Sequence, residues 1–374
     1  MLSNGSLAID VDGAARVPAS PLTATPAHAV APVLKISLDD VRRAMSEVRR
    51  HLAPTPMISH PVLDEQAGCD MFVKLENSHS IGSFKIRGSL ALLAGLRAEE
   101  RARGLVTATR GNHGQSIAYA ARMHATCCTV FVPHGNSPAK NAAIAALGAR
   151  VIEAGHDFDA AMIAAAKHAA ETGAVLVHQG REPEMIAGAG TVALEMIEQA
   201  PGPLDAVFVP VGAGGLAAGM AVAIKALSPE TRVFGVCAEN APAMHHAWHT
   251  GERHAFAATE TLADGLALRI PVEETLGIMQ ALLDGMVLVS EREIQDAIRI
   301  YANTVHQMAE GAAAAALAAA LRHREAFAGG RVGVVLSGGN IDPATLLGAL
   351  AGERPQHEPR AMPYFPIGEL SYGY

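Results

Sequence analysis

Residues 83–88, with the sequence SFKIRG, place a lysine between an aromatic residue and a glycine. This stretch follows a strand-like apolar segment and begins a helix-like one, a position that suits a buried amine. Burial lowers the pKa of an amine because the charged form loses its hydration, and the neutral amine of Lys85 could then attack a carbonyl carbon. A solvated lysine on a helix surface is the alternative, since most lysines are exposed.

A second motif, TRGNHGQ at residues 109–115, lies between a strand-like run at 105–109 and a helical pattern at 114–124. Its glycines let backbone N–H groups approach an anion closely, and the Asn112 amide can both donate and accept hydrogen bonds. The motif therefore indicates a carboxylate-binding loop. The alternative is an ordinary strand-to-helix loop in which Asn112 caps the helix.

A third motif, VGAGGL at residues 211–216, follows the apolar run 205–211 and precedes a helical pattern at 216–227. Successive unhindered amides at a helix N-terminus can bind phosphate through direct hydrogen bonds and the helix dipole. The same glycines fit a dinucleotide-binding fingerprint, with Glu239 at the end of the next strand as the acid that would bind a ribose. A dinucleotide-dependent oxidoreductase is therefore an alternative of another class.

The fourth motif, LSGGN at residues 336–340, again stands at the end of an apolar run, where open α/β sheets bind ligands. The Ser337 hydroxyl could hydrogen-bond a neutral ring nitrogen, and the two glycines leave room for a flat ligand. An ordinary strand-to-helix turn is the alternative.

Apolar runs and helical patterns alternate along the chain from Ser37 onward, which predicts parallel sheets covered by helices on both faces. The predicted strands are 71–76, 105–109, 127–133, 150–154, 174–178, 205–211, 232–238, 286–289 and 331–336. The capping signals that support the helices are Ser37 with Asp40, Ser137 before Pro138, and Ser290 with Glu293.

The composition and charge of the chain restrict what it can do. The 374 residues are half hydrophobic and carry a formal charge of −8 without a basic block, so a nucleic-acid partner is not expected. Residues 1–33 lack the basic start and unbroken apolar core of a signal peptide and are predicted to be a disordered leader, and no run is a convincing membrane span. Cys69, Cys127, Cys128 and Cys237 show no CxxC spacing, which predicts buried thiols in a reducing compartment. The expected location is the cytoplasm.

Together, in this order and at these separations, the four motifs resemble the fold-type II pyridoxal-phosphate enzymes, in particular their threonine/serine dehydratase and serine racemase branch. The similarity covers most of residues 35–345, and KLEN at 74–77, GAGT at 188–191 and LADG at 262–265 agree with it. The resemblance implies a tryptophan synthase β-like α/β fold, with two domains of open, mostly parallel sheets flanked by helices. It also implies pyridoxal 5′-phosphate as the cofactor.

The domain organisation follows from the resemblance and from the alternating elements. A large cofactor-binding domain is expected from residues 34–102 and 179–350, a small domain from 103–178, and a C-terminal tail from 351–374. The stretch after the fourth motif is too short for the regulatory domain of biosynthetic threonine dehydratases, so feedback control by a branched-chain amino acid is not expected. A homodimer is expected.

Position by position, the resemblance makes Lys85 the Schiff-base lysine and places Phe84 against one face of the pyridoxal ring. Asn112 would bond the 3′-oxygen of the ring, Ser337 would bond the pyridine nitrogen, and Glu310 would lie near the ring. The glycine loop would hold the cofactor phosphate with Gly212, Ala213, Gly214 and Gly215. The amides that would hold the substrate carboxylate are those of Thr109, Arg110, Gly111, Asn112 and His113.

These parts imply a lyase that converts a β-hydroxy-α-amino acid such as threonine or serine to a 2-oxo acid and ammonia. The freed lysine can remove the α-proton, and a neutral partner at the ring nitrogen favours loss of the β-hydroxyl over transamination. Dehydratases of the hydroxyaspartate or phenylserine type and β-replacing synthases of the same fold are alternatives. A non-catalytic amino-acid-binding protein is a further one.

Two positions depart from the family pattern. Arg110 stands where serine racemases carry a serine base, so racemisation is not expected, and its guanidinium could bind a second substrate carboxylate or turn to solvent. In metal-activated members a glutamate, a backbone carbonyl and an aspartate bind Mg²⁺ or Ca²⁺. Here Glu239, Ala243 and His245 stand at those positions, and an imidazole disfavours these ions. No metal is therefore expected, and His245 and His246 are predicted to lie at the surface.

Overall fold

The computed structural model describes residue 26 and residues 34–257, 259–355 and 364–366. The leader predicted at residues 1–33 lies outside these ranges apart from residue 26. Strands and helices alternate through most of the described chain, as the sequence predicts. Within the described ranges, no helix has the length and apolar character needed to cross a membrane.

The regular elements are named here in chain order. The helices are α1 (Leu38–His51), α2 (Pro61–Ala67), α3 (Lys85–Gly95), α4 (Ala98–Arg103), α5 (Asn112–Met123), α6 (Pro138–Ala146), α7 (Phe158–Thr172), α8 (Pro183–Gln199), α9 (Gly215–Leu227), α10 (Ala243–Thr250), α11 (Glu273–Leu282), α12 (Glu291–Ile300), α13 (Gly311–Arg322) and α14 (Pro343–Ala351). The strands are β1 (Met57–Ile58), β2 (Asp70–Leu75), β3 (Leu105–Ala108), β4 (Cys128–Val132), β5 (Arg150–Glu153), β6 (Val175–Leu176), β7 (Ala206–Pro210), β8 (Arg232–Ala238), β9 (His254–Phe256), β10 (Gly285–Val289), β11 (Arg331–Leu336) and β12 (Tyr364–Pro366).

The predicted strands correspond to β2 through β8, β10 and β11, and their ends agree to within two residues. The sequence prediction missed β1, β9 and β12. These strands are two or three residues long, which is too short to show an alternating or continuous apolar pattern.

The larger sheet of the described chain has six strands in the order β1-β2-β11-β7-β8-β10. Its neighbouring strands are parallel except β1 and β2, where Met57 lies opposite Lys74. Val334 of the central strand β11 lies opposite Val73 of β2 and Phe208 of β7. The inner strands are buried on both faces, which is why they appear in the sequence as continuous apolar runs.

Helices cover both faces of this sheet. One face packs against α1, α8, α9, α10 and α11, and the other packs against α12 and α13. The alanine-rich helix α13 is buried along its length from Gly311 to Ala320. The prediction that residues 312–320 form a helix is therefore confirmed, and the small side chains let that helix lie close to the strands.

The second sheet contains four parallel strands in the order β5-β4-β3-β6. These strands and helices α5, α6 and α7 all fall within residues 103–178, the predicted small domain. The domain division itself stays a prediction. A separate antiparallel pair, β9 with β12, places Ala255 opposite Phe365, so a strand lies within the predicted C-terminal tail.

Two of the three predicted capping signals are confirmed. Ser37 and Ser290 each form a reciprocal capping box with the acid three residues further on. Ser137 precedes a proline at the first position of α6, as predicted, but its side chain does not cap the helix. Its hydroxyl instead donates to Asp342 Oδ1 at 2.8 Å, a partner that is remote in sequence.

The prediction of four buried thiols is correct for Cys69, Cys128 and Cys237 and wrong for Cys127, which is exposed. Cys128 begins β4 and points inward. Because adjacent side chains of an extended chain point to opposite sides, its neighbour faces solvent.

A network of buried charges lies at the base of α3. The Arg87 guanidinium is fully buried and donates to the carboxylates of Glu76 and Glu195 over 2.7–2.9 Å. Lys74 Nζ donates to Glu195 and to the Thr55 carbonyl oxygen, at 2.7 Å in both cases. Burial opposes the charge of Arg87, but the two carboxylates raise its pKa above the ordinary value. This paired network joins α3 to β2 and α8.

Candidate active site

A pocket opens where the chain leaves the carboxyl ends of β3, β7 and β11. The predicted site residues that line it are Phe84, Lys85, Thr109, Arg110, Gly111, Asn112, His113, Gly212, Ala213, Gly214, Gly215, Glu310 and Ser337. The structure thus brings every predicted cofactor and substrate contact to one place, as expected for motifs that follow parallel strands.

Lys85 is the first residue of α3, half-buried in the wall of the pocket. Burial lowers the pKa of its amine to about 8, while the charge of Glu310 acts in the opposite direction. Nζ lies 5.1 Å from the centre of the Phe84 ring. The amine is therefore partly neutral near physiological pH, the state that carbonyl chemistry requires.

Backbone hydrogen bonds hold the lysine motif against the LSGGN motif. The Phe84 N–H donates to the Ser337 carbonyl oxygen at 3.0 Å, and the Gly339 N–H donates to the Gly82 carbonyl oxygen at 2.9 Å. The lysine and the serine hydroxyl thus enter the pocket from two segments that are bonded to each other.

The glycine loop at residues 211–216 turns directly from β7 into α9. Gly214 precedes the helix in the left-handed conformation, with φ +82°, which glycine adopts without strain. A Cβ at Gly212 would collide with the Gly265 carbonyl oxygen, so no side chain fits there. Amides in the first turn of α9 have no acceptors within the helix and, with the helix dipole, suit a phosphate.

The 109–113 loop is shaped by its first residue. Thr109 Oγ1 accepts hydrogen bonds from the N–H groups of Gly111 at 2.9 Å and Gly114 at 3.1 Å. The residue that precedes α5 is Gly111, and Asn112 is the first helical residue. The alternative in which Asn112 caps the helix is therefore wrong.

The Asn112 side chain belongs to a chain of amide hydrogen bonds. Asn340 Nδ2 donates to the Ile81 carbonyl oxygen at 2.8 Å and to Asn112 Oδ1 at 2.7 Å. Asn112 Nδ2 donates to the Glu310 carboxylate, at 2.8 and 3.0 Å from its two oxygens. Asn340 Nδ2 uses both of its protons in these two bonds, so the atom of Asn112 that faces it must be the acceptor Oδ1. Asn340 thereby orients the Asn112 amide with Nδ2 toward Glu310. Sequence reasoning included Asn340 only as part of a motif and missed this contact.

Glu310 precedes α13 and lines the pocket. Burial raises the pKa of its carboxyl to about 7, although the hydrogen bond from Asn112 and the charge of Lys140 act in the opposite direction. Gly338 makes room for this carboxyl, since a Cβ there would lie 2.6 Å from Glu310 Oε1. The carboxyl can therefore hold or release a proton near neutral pH.

His113 is buried, and its hydrogen bonds define its tautomer. The Thr107 hydroxyl donates to the Val177 carbonyl oxygen at 2.8 Å and lies 2.8 Å from His113 Nε2. Because that hydroxyl has one proton, Nε2 must carry the hydrogen and donate to Thr107. Burial lowers the pKa of His113 well below its usual value. The imidazole is neutral, and Nδ1 is a buried acceptor with no partner among the described residues.

Ion pairs that the sequence did not reveal connect segments around the pocket. Lys140 lines the pocket, and its Nζ lies 2.7 Å from Asp264 Oδ2. Arg269 lies 3.0 Å from both Asp157 and Asp159. The LADG motif marks Asp264, but no local pattern indicates partners that stand more than a hundred residues away.

Glu239, Ala243 and His245 occupy the positions at which metal-activated family members bind an ion, and the absence of a metal there stays a prediction. Arg322 Nη2 donates to Glu239 at 3.4 Å, and Ala243 is the first residue of α10. The prediction that His245 and His246 lie at the surface is wrong, because both are half-buried. Burial lowers the pKa of His245 to about 3, so its ring is neutral.

The fold and pocket define an α/β protein in which an amine of lowered pKa and a glycine-rich loop line one pocket at the strand ends. The chain belongs to the pyridoxal-phosphate dependent enzymes, whose family profile matches residues 48–338. It is 40% identical over 307 residues to an L-threonine ammonia-lyase of Thermotoga maritima, covering 82% of this chain and 76% of that protein. It is 34% identical over 305 residues to a beta-hydroxyaspartate dehydratase of Paracoccus denitrificans, covering 81% and 96%. The structure of maize serine racemase matches with a TM-score of 0.80 and 29% identity, covering 85% of this chain and 98% of that one.

These relatives confirm the predicted fold class, cofactor and enzyme class. The protein is a pyridoxal-phosphate-dependent carbon–oxygen lyase, an ammonia-lyase of hydroxy amino acids. The alternative of a dinucleotide-dependent oxidoreductase is therefore wrong. Glu239, the carboxylate proposed to bind a ribose, is paired with Arg322. The pocket fits the cofactor, because the glycine loop offers room and amides for a phosphate and Lys85 offers an amine of lowered pKa.

Proposed function

We propose that the preferred substrate is a β-hydroxy-α-amino acid that carries a second carboxylate, of the 3-hydroxyaspartate type. The observation that carries this proposal is the position of Arg110. Its side chain lines the pocket, and its Nε is buried without a hydrogen-bond partner among the described residues. A buried guanidinium donor needs an acceptor, and a substrate carboxylate supplies one with matching geometry.

The charges around Arg110 support this proposal. Lys140, a second cation of the pocket, is already paired with Asp264. Burial raises the pKa of Asp159, and the charge of Arg110 acts in the opposite direction. Asp159 is already paired with Arg269 at 3.0 Å. Arg110 is therefore the cation of the pocket best placed to meet a substrate carboxylate.

The chain's own residues are assigned the following parts. The α9 amides would hold the cofactor phosphate, the Ser337 hydroxyl would bond the ring nitrogen, Asn112 would bond the ring 3′-oxygen, and Phe84 would pack on a ring face. Pyridoxal phosphate supplies an acceptor for the electron pair left at the α-carbon. The 109–113 amides hold the α-carboxylate. Lys85, with a pKa of about 8, takes the α-proton.

Threonine is the second candidate substrate. Phe158, Leu266 and Leu268 also line the pocket and could contact the methyl group of threonine. The relative from Thermotoga maritima is named for threonine. Under this alternative, Arg110 turns toward solvent when substrate binds.

The test compares kcat/KM for L-threo-3-hydroxyaspartate, threonine and serine in the natural enzyme and in Arg110→Ala. A charge-assisted bidentate contact is worth about 1.5–3 kcal/mol, so the variant should lose about tenfold to a hundredfold for hydroxyaspartate relative to threonine. Arg122→Ala, at an exposed position of α5, is the matched control and should leave the ranking unchanged. An unchanged ranking in Arg110→Ala would favour the threonine assignment.

Racemisation of serine should be negligible beside elimination, because a guanidinium does not act as a base at neutral pH. Chiral analysis of residual serine checks this expectation. Efficient racemisation would contradict the proposed reading of the 109–113 loop.

A homodimer and a cytoplasmic location are proposed as well. The free buried thiols Cys69, Cys128 and Cys237 favour a reducing compartment. Light scattering on the purified chain tests the dimer, and fractionation of cells tests the location.

A further inference from the structure

Two histidines and a glutamate meet away from the pocket, where α1 and α5 end. Glu47 and His51 are one turn apart on α1, so their side chains share one face of the helix. His124 follows the last residue of α5. One candidate ligand atom from each residue lies within 4.8 Å of the other two, and His51 Nε2 lies 3.0 Å from Glu47 Oε1.

The burial of these side chains suits a metal ion. All three residues are half-buried, and Nε2 of His124 is shielded from solvent without a hydrogen-bond partner among the described residues. Arg50 bonds the other oxygen of Glu47 at 2.5 Å, which leaves Oε1 facing the histidines.

The spacing is close to that of a zinc site. Tetrahedral Zn²⁺ holds nitrogen and oxygen ligands at about 2.0–2.2 Å, which places the ligand atoms roughly 3.4 Å from one another. His51 Nε2 and Glu47 Oε1 are hydrogen-bonded at 3.0 Å, a separation near this value, and an ion between them would replace the proton of Nε2, with the ring keeping its hydrogen on Nδ1. Since no ligand pair exceeds 4.8 Å, closure needs a shift of at most about 1.4 Å, which rotation of an imidazole can supply.

We propose that Glu47, His51 and His124 bind a divalent transition-metal ion, for which Zn²⁺ is the best match. Two imidazoles and a carboxylate form a three-ligand zinc set whose fourth position takes water. Mg²⁺ and Ca²⁺ prefer oxygen ligands and should not bind here. A bound ion would join α1 to the far end of α5, the helix that begins in the pocket with Asn112.

The test uses the full-length holoenzyme without a histidine tag, freed of excess cofactor, in a buffer without phosphate or chelator. Equilibrium dialysis against zinc chloride should show an ion bound to the natural chain that is lost in the variants. His51→Ala and His124→Ala should each weaken that binding by at least about 10–100-fold, the loss that even an outer-sphere change causes. Zn²⁺ should raise the melting temperature of the natural chain and not that of these variants.

Control variants exclude other ligands. His156→Ala, at a side chain 87% exposed, and Cys127→Ser should bind Zn²⁺ as the natural chain does. His254→Ala reports on a second cluster of Glu and His side chains, formed by His246, Glu252 and His254. Unchanged zinc binding in His124→Ala, or zinc binding that only His254→Ala removes, overturns the proposal.

A crystallographic measurement keeps the proposal testable if the alanine variants fold poorly. Anomalous diffraction at the zinc edge, from a crystal of the natural holoenzyme soaked in zinc chloride, should give a peak between His51 and His124. A data set without a peak there overturns the proposal.

Discussion

Helix α3 carries two cations that differ in how fully they are paired. Arg87 is fully buried and bonded to two carboxylates, and its pKa is raised. Lys85, two residues earlier, lines the pocket, forms no hydrogen bond with a carboxylate among the described residues, and has its pKa lowered to about 8 by burial. Desolvation acts on both side chains, and at Arg87 the attraction of two carboxylates outweighs it. Loss of a paired buried cation would leave its carboxylates without a partner, whereas an under-paired cation is available for chemistry.

The neighbours of each cation continue this contrast. Around Arg87, Lys74 donates to a carboxylate, a carbonyl and an amide oxygen at 2.7–2.8 Å, so its three protons are used. Around Lys85, Glu310 has a raised pKa and His113 Nδ1 has no partner within the described chain. Arg110 Nε is a second buried polar atom of the pocket without a partner in the described chain, and a bound ligand could supply the missing partners of both.

Removal of the under-paired amine of Lys85 should have the largest effect. Lys85→Ala should lower turnover by more than about a thousandfold, since both carbonyl attack and proton transfer depend on this group. Its melting temperature should stay close to that of the natural enzyme, because no ion pair is lost. Steady-state 2-oxo acid release and thermal unfolding check this. Residual turnover within tenfold of the natural rate would contradict the role of Lys85.

Removal of the paired cation, Arg87, should instead lower the stability of the fold. Arg87→Met leaves the carboxylates of Glu76 and Glu195 buried without their partner and should cost about 3–5 kcal/mol of unfolding free energy. Urea denaturation measures this loss. Arg122→Met, at an exposed site, should change stability by less than about 0.5 kcal/mol. If Arg87→Met unfolds no more easily than this control, the network does not stabilise the fold.

A smaller effect should follow from turning one amide. Asn340→Asp replaces the donor to Asn112 Oδ1 with a carboxylate, so Asn112 should rotate and present the wrong face to the cofactor. Loss of a residue that only orients a ligand-binding group costs about 10–100-fold in affinity or activity at metal sites. We expect a loss of that size in the affinity for pyridoxal phosphate, together with a shift of the cofactor's absorption maximum. Asn340→Asp with unchanged affinity and spectrum would show that Asn112 is oriented by Glu310 alone.

The smallest expected effect concerns pH. With a Lys85 pKa of about 8, the neutral fraction rises from about one tenth at pH 7 to about nine tenths at pH 9, so the apoenzyme should take up pyridoxal phosphate about tenfold faster at pH 9. Because the pKa of Lys85 is lower in the folded chain, the unfolded chain binds this proton more tightly. Protonation of Lys85 therefore destabilises the folded apoenzyme, with its full effect below pH 8 and a smaller effect as the pH rises above 8. Stopped-flow uptake that is flat over this range would contradict the lowered pKa.

Sequence reasoning predicted the strands because their apolar runs are long enough to recognise. It predicted that the four motifs meet because parallel strands end at a common edge of the sheet. It missed what depends on remote partners. The pairing of Ser137 with Asp342, of Lys140 with Asp264 and of Asn340 with Asn112 joins segments more than a hundred residues apart. Local patterns carry no signal for such contacts.

The error at His245 has a related cause. A polar residue next to a second histidine suggests a solvated helix face, but packing of α10 against the sheet half-buries the ring. Tertiary packing therefore decided its exposure and its pKa.

The central claim is that the under-paired lysine, and no other amine of the pocket, holds the cofactor. Borohydride reduction of the holoenzyme followed by peptide mapping tests this directly, because reduction fixes the cofactor to the amine that carries it. The account predicts one pyridoxyl group per chain on the peptide that contains Lys85. A label on Lys140, which also lines the pocket, or no label at all, would contradict it.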